Sequence, residues 1–363
     1  MSVSTFQSQD RAAFEANELA IVLSNYDLGV IESITEFPRG SRQSPKVGIV
    51  AERGKFLLKR RSTARANPDR VRLAHRVQAH LAAHGFPIAP IILTRRGRHT
   101  LVQQAGHVYE LFGFVAGHAF EKSETETYHA GVALARFHQA MESFDPPDTQ
   151  PIPVGDYHDA PAVRSGLCSI GSILSSHDSF SGDQAELAGV VQFLLSAYDA
   201  AAAAVDRVVQ PGSHETVIHA DWHPGNLLFR KHQVLAVIDY DSVRASENII
   251  DIGNGVLQFS MIAGGDPATW PDEIDENRYV AFLKGYTSRT PLEELPLRAI
   301  PHLMIEALIS ECVPPITQTG SVGQWTGFRV LQMVRRKVTW LQAHLDRIAA
   351  LDVGAAQTGS GSA

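Results

Sequence analysis

The chain has 363 residues, is 44% hydrophobic and 20% charged, and carries a formal net charge of -7. That composition excludes a wholly disordered or collagen-like chain, and the acidic balance disfavours a nucleic-acid backbone as partner. No run of about 20 residues is continuously apolar, and the first 20 lack a basic segment followed by an apolar one, so neither a membrane helix nor a secretion signal is expected. Two cysteines, Cys168 and Cys312, have no metal-type spacing and read as reduced thiols of a cytoplasmic protein.

In chain order, apolar periodicity predicts a helix over 9–24, with Phe14, Leu19, Val22 and Leu23 on one side. Three strands follow, at 30–36, 46–51 and 55–59, separated by turns that carry glycine or proline. The next helix is well punctuated. Asn67 is its N-cap, Pro68 its first residue and Gly85 the residue past its end. Strands at 100–104 and 107–115 come next. Helices then dominate, at 127–141, 185–209, 276–286, 297–310 and 323–350, around a β-rich island at 216–241. The last residues, 353–363, are small and polar and are expected to be disordered. This order predicts an α+β fold with a β-rich lobe over 1–116 and a larger helical lobe over 117–352.

The chemistry concentrates in the island. Leu227–Phe229 and Val234–Tyr240 are apolar runs separated by four polar residues, the pattern of a hairpin. In an antiparallel hairpin the start of one strand faces the end of the other. Asn226 and Asp239 therefore fall at one end, and two hard oxygen ligands beside phosphate suit Mg²⁺. Asp221, five residues before Asn226, faces the same end, where a carboxylate can orient a hydroxyl and take its proton. A lone loop aspartate is ordinarily a turn former; the spacing of the set argues for more.

The run His219-Ala220-Asp221-Trp222-His223-Pro224-Gly225-Asn226, with Ile238-Asp239-Tyr240, resembles the catalytic loop and metal-binding strand end of the aminoglycoside phosphotransferase/choline kinase family. The resemblance implies a bilobal, protein-kinase-like fold, with a small antiparallel sheet and one helix in the first lobe and a mostly helical second lobe. It implies ATP and Mg²⁺ as cofactors and a small-molecule hydroxyl as acceptor. Asp221 would be the catalytic base, and Asn226 and Asp239 the metal ligands. Lys59 would hold the α- and β-phosphates, Ser41 would lie in the nucleotide loop, and the backbone of Gly113 and Val115 would meet adenine, with Phe112 beside them. His219 and Asp251 would brace the loop.

Two features bear on rivals. Only eleven residues separate Asp239 from Asp251 and no Ala-Pro-Glu triplet occurs, which disfavours a protein kinase. No glutamate occurs between Lys55 and Gln104, where kinases of this fold carry the partner of the lysine. That leaves Asp239 as the nearest anion for Lys59, and it keeps open a catalytically weak binding or structural protein like the spore-coat proteins of the CotS type. The acceptor class stays broad: amino sugars, amino alcohols, homoserine and sugars all fit, and neither nucleic acid nor membrane is expected as a partner.

Overall fold

A computed structural model of the chain describes residues 12–37, 43–146, 151–176, 182–209, 215–351 and 353. They divide into two compact units. The first comprises the described residues up to Gly117 together with Leu235–Asp241; the second comprises the rest. Leu235–Asp241 thus group with the β-rich unit, whereas the sequence places the whole island in the helical lobe.

The first unit opens with α1 (Ala16–Leu23), then β1 (Ile31–Glu36), β2 (Lys46–Ala51), β3 (Gly54–Arg60), α2 (Pro68–Ala83), β4 (Val102–Gln104) and β5 (His107–Gly113). The five strands form one antiparallel sheet in the order β1-β2-β3-β5-β4. Strict alternation along β2 buries Val47, Ile49 and Ala51, which pack with Phe56, Leu58 and Leu111 and with Val22 and Leu23 of α1. The α2 signals act as expected. The Asn67 side chain accepts from the Asp69 and Arg70 amides, and Gly85 leaves the helix at φ +67°.

The second unit contains α3 (Glu124–Met141), α4 (Pro161–Ser175), α5 (Gln184–Val205), β6 (Glu215–Ile218), β7 (Leu227–Arg230), the start of β8 (Gln233–Val237), β9 (Arg244–Glu247), α6 (Asn248–Ser260), α7 (Glu276–Thr287), α8 (Glu294–Thr319), β10 (Ser321–Val322), β11 (Trp325–Thr326), α9 (Gly327–Ala343) and α10 (Leu345–Ala349). β6 pairs antiparallel with β9. Lys231 and His232, at φ 49° and 63°, make the two-residue turn of the expected hairpin after β7. α3 and α7 approach backbone to backbone. A methyl group at Gly131 would strike the Phe282 carbonyl, and one at Gly285 would strike the Tyr128 carbonyl.

Several boundaries depart from the sequence. α4 goes unpredicted because its glycines and serines mask the spacing of Val163, Leu167, Ile170 and Leu174, all of which are buried. α8 runs through Pro301, Pro314 and Pro315 to Gly320, held by burial where propensity argues against it. The helix predicted over 323–350 is instead a β10–β11 hairpin followed by α9 and α10. Val353, at the head of the supposed disordered tail, is buried, and its carbonyl accepts from Thr287 Oγ1 at 3.3 Å; 354–363 lie outside the described residues. α5 and residues 296–319 of α8 are long and apolar enough in composition to cross a membrane, although no continuously apolar run marks them. In this fold α5 and α8 pack with one another, and the apolar window of α8 is mostly buried.

Candidate active site

In the first unit the sheet register does the positioning. β3 pairs with β5 so that Lys59 lies directly opposite Glu110, on the same face. Glu110 is fully buried and takes both nitrogens of an Arg61 fork, at 2.5 and 2.9 Å, and His75 Nε2 of α2 at 2.7 Å. Arg61 also reaches Asp241 Oδ1 at 2.6 Å. Lys59 Nζ lies 3.4 Å from Asp239 and 3.5 Å from Asp241. The only carboxylate on α2, Asp69, is exposed and pairs with Arg72. Lys59 thus takes its carboxylates from Asp239 and Asp241 after β8, while Glu110 of the facing strand adds its charge and binds Arg61 and the α2 histidine.

Burial sets the scale of these charges. It would raise the Glu110 carboxyl, but the His75 hydrogen bond and Arg61 hold it down at about 2. Burial would lower the Lys59 ammonium; Asp239, Asp241 and Glu110 outweigh it and hold it above the usual lysine range. Asp241, despite burial, is held well below the usual carboxylate range by Lys59 and Arg61. Three carboxylates, Glu110, Asp239 and Asp241, here meet the cations Lys59 and Arg61, and Arg70 of α2 donates to the Asp241 carbonyl at 3.3 Å. Asp239 itself sits at φ +65°, a conformation that costs a non-glycine residue energy and clusters at functional sites.

In the second unit a buried aspartate organises the loop that follows β6. Asp251, in the first turn of α6, accepts from the His219 amide at 2.6 Å and the Ala220 amide at 2.8 Å. His138 Nε2 of α3 stands 3.3 Å from the same carboxylate, and His138 Nδ1 lies 2.9 Å from the Tyr286 hydroxyl of α7. The His219 ring is buried edge-on against Phe137 and Trp222, a packing role. Ala220 turns at φ +58° and delivers Asp221 to a half-open position. The Asn226 amide nitrogen donates to both the carbonyl and the carboxylate of Asp221, each at 3.0 Å. That orients Asp221 and leaves the Asn226 amide oxygen as the atom that could serve a cation. His223 Nδ1 accepts from the Gly225 amide at 3.0 Å, so in the neutral ring Nε2 carries the proton; it faces Asp221 Oδ1 at 3.6 Å. The arrangement can hold an anionic carboxylate in one orientation with a face open to an incoming hydroxyl.

The predicted site residues thus fall in two sets. Asp221 and Asn226 are brought together in the second unit, and Lys59 and Asp239 in the first. Gly113 ends β5 and gives its amide hydrogen to the Pro90 carbonyl at 2.8 Å, so its carbonyl is the side left to offer; Val115 is half-buried just beyond it. Ser41 lies outside the described residues. Sequence reasoning missed Glu110, Arg61 and His75, although a charged residue inside the buried run Val108–Leu111 was a visible signal. It also missed Glu311 of α8. Gln258 of α6 donates to that carboxylate, which is exposed and close enough to Asp221 to feel its charge.

Comparison with known proteins agrees with this geometry. A family model described as "Phosphotransferase enzyme family" matches residues 33–297. The chain is 24% identical over 299 residues to a homoserine kinase of Phenylobacterium zucineum (strain HLK1), covering 79% of this chain and 80% of that one. Among solved structures it resembles a microcompartment-associated aminopropanol kinase, with TM-score 0.67 and 14% identity over 90% of this chain and 96% of the other. It also resembles an amicoumacin kinase in complex with AMP-PNP, Ca²⁺ and Ami, with TM-score 0.65 and 14% identity over 94% and 96%. These likenesses show the kinase-like α+β fold.

Proposed function

Because this chain belongs to the phosphotransferase enzyme family, we propose that it transfers the γ-phosphoryl group of ATP, with Mg²⁺, to a hydroxyl of a small amine-bearing or sugar-like alcohol. It is a small-molecule kinase. The observation that carries the reading is the Asp221–Asn226 pair: the amide fixes the carboxylate, and Asp251 fixes the loop that bears both. Asp221 would orient the acceptor hydroxyl and take its proton as the bond to phosphorus forms. Asn226, through its amide oxygen, and Asp239, through its half-buried carboxylate, would each suit a hard divalent cation. Mg²⁺, when bound, supplies neutralisation of the triphosphate charge. Lys59 would bind the α- and β-phosphates, and the Gly113 and Val115 backbone the base.

The kinase relatives named above act on homoserine and aminopropanol by their names, and Glu311 near Asp221 gives this chain a second carboxylate to meet an acceptor amine. The rival of a kinase-fold binding protein rests on the missing helix glutamate; Asp239 and Asp241 beside Lys59 give it anionic partners without that glutamate, which supports an active kinase. Two unpaired cysteines suit a reducing, cytoplasmic setting. The test is ADP release by the purified chain over a panel of homoserine, amino alcohols, amino sugars and sugars, with and without Mg²⁺. The expected result is ADP release that needs both Mg²⁺ and one acceptor. ADP release that no acceptor raises would overturn the reading.

A further inference from the structure

Glu126 is fully buried, and only one of its oxygens has a structural explanation. It stands at the third position of α3, where a glutamate ordinarily reaches back to satisfy an upstream amide. Its Oε2 does so, accepting from the Glu121 amide at 2.7 Å, while the Ser123 hydroxyl caps the Glu126 amide at 3.2 Å. Its Oε1 is buried and accepts no hydrogen bond. A buried carboxylate oxygen without a donor is costly, and the surroundings show what would relieve it. His118 Nδ1 lies 3.7 Å from that oxygen and His232 Nδ1 lies 3.8 Å from it. Glu121 Oε1 lies 3.6 Å from His118 Nδ1.

We propose that His118, Glu121, Glu126 and His232 form a binding site for a borderline transition-metal cation, Zn²⁺ being the one its two imidazoles and two carboxylates fit. The separations carry the argument. Bonds of about 2.05 Å to a tetrahedral ion place neighbouring donor atoms about 3.4 Å apart. The three separations of 3.6–3.8 Å are too long for hydrogen bonds and within a few tenths of an ångström of that edge. Donor atoms of His118, Glu121 and Glu126 all lie within 4.8 Å of one another, and His232 adjoins this group at Glu126, from where its exposed side chain would have to close in.

The scaffold is fixed in advance. The backbones of His118 and Phe229 exchange two hydrogen bonds of 2.9 Å, and the Phe229 ring stacks on the His118 ring. His232 sits in the tight turn that follows β7, whose left-handed backbone leaves it little freedom. His118 Nδ1 now lies 2.9 Å from the Ala119 carbonyl, and ligation through Nδ1 would displace that contact and leave the ring proton on Nε2. The bound ion would staple the segment before α3 to the hairpin turn.

The test is titration of tagless, chelator-treated full-length protein with Zn²⁺ in the presence of millimolar Mg²⁺, with Co²⁺ as the spectroscopic probe. The expected result is one Zn²⁺ per chain, intense tetrahedral Co²⁺ bands, and affinity at least about tenfold weaker in His232→Gln and in Glu126→Gln. His232 is on the surface, so its variant keeps the test valid should Glu126→Gln fail to fold. His84→Gln, in the other close histidine pair, is expected to change nothing. No binding by the unaltered chain, or binding that both site variants leave intact, would overturn the proposal. The readout is metal occupancy, so it stands or falls independently of any acceptor being found.

Discussion

The two units hold their functional groups by different physics. In the β-rich unit Lys59, Arg61, Glu110 and Asp241 hold one another by opposite charge, in a place where each alone would be expelled from the interior. In the helical unit one carboxylate, Asp251, fixes a loop by taking two backbone amides, and no arginine or lysine is involved. A charge-balanced cluster can tolerate an incoming polyanion by re-pairing, but it depends on pH. A loop tied by amides keeps its shape but cannot adapt. Phosphate handling suits the first kind of construction and hydroxyl alignment the second.

The comparison breaks most visibly at Glu110. Glu110→Leu removes the anion that faces Arg61 and His75 and leaves the buried guanidinium with Asp241 alone, which should cost about 3 kcal/mol in urea unfolding. The same carboxylate sets an acid limit. Its folded value of about 2 lies below its unfolded value, so its contribution is complete above about pH 4.5 and is lost as pH falls from there toward 2. Glu110→Gln should flatten that part of the stability profile; a profile that keeps its full acid slope would assign the slope elsewhere.

Asp221→Ala comes next. Turnover should fall by on the order of 10²-fold or more, with nucleotide affinity unchanged, because its proposed part is to orient the acceptor hydroxyl and not to hold phosphate or metal. Unchanged turnover with the best acceptor would remove Asp221 from the reaction. Asp251→Asn keeps one acceptor for two amides and should cost about 2 kcal/mol, with a raised KM for the acceptor as the loop loosens. Should stability fall while KM and kcat hold, Asp251 is a folding residue only. The smallest effect expected is at Asp239→Ala: Mg-nucleotide affinity drops roughly tenfold while affinity without Mg²⁺ changes less. Equal losses in both conditions would show that Asp239 serves Lys59 and not a metal.

Sequence made the loop legible because its chemistry is contiguous: His219, Asp221 and Asn226 share one segment whose spacing resembles a known motif, although Asp251 of α6 holds its backbone. The cluster around Glu110 was hidden because it exists only through strand register. Lys59 and Glu110 meet as opposed residues of β3 and β5, and His75 joins them from α2. The bare helix left Asp239 as the expected partner of Lys59, and the lysine does meet it, with Asp241 beside it. A glutamate introduced at His75, which sequence logic would favour, now sets two carboxylates against each other in a dry interior and should destabilise the unit. Within the helical unit the strongest misreadings, α4 and the C-terminal part of α8, were segments whose glycine or proline content argues against helix while burial imposes it.

The glycine contact between α3 and α7 has a reach beyond packing. Gly131 and Gly285 set the distance between two helices to the thickness of bare backbone. His138 lies on α3 two turns beyond Gly131, and Tyr286 follows Gly285 on α7; together they form the hydrogen-bonded line that ends on the Asp251 carboxylate. The spacing of these helices is therefore a ruler for the loop that carries Asp221. One added methyl group on either glycine lengthens the ruler, and the error arrives at the far end as a misaimed carboxylate. A mutational scan scored on activity would mark both glycines as part of the active site, though neither comes near a substrate.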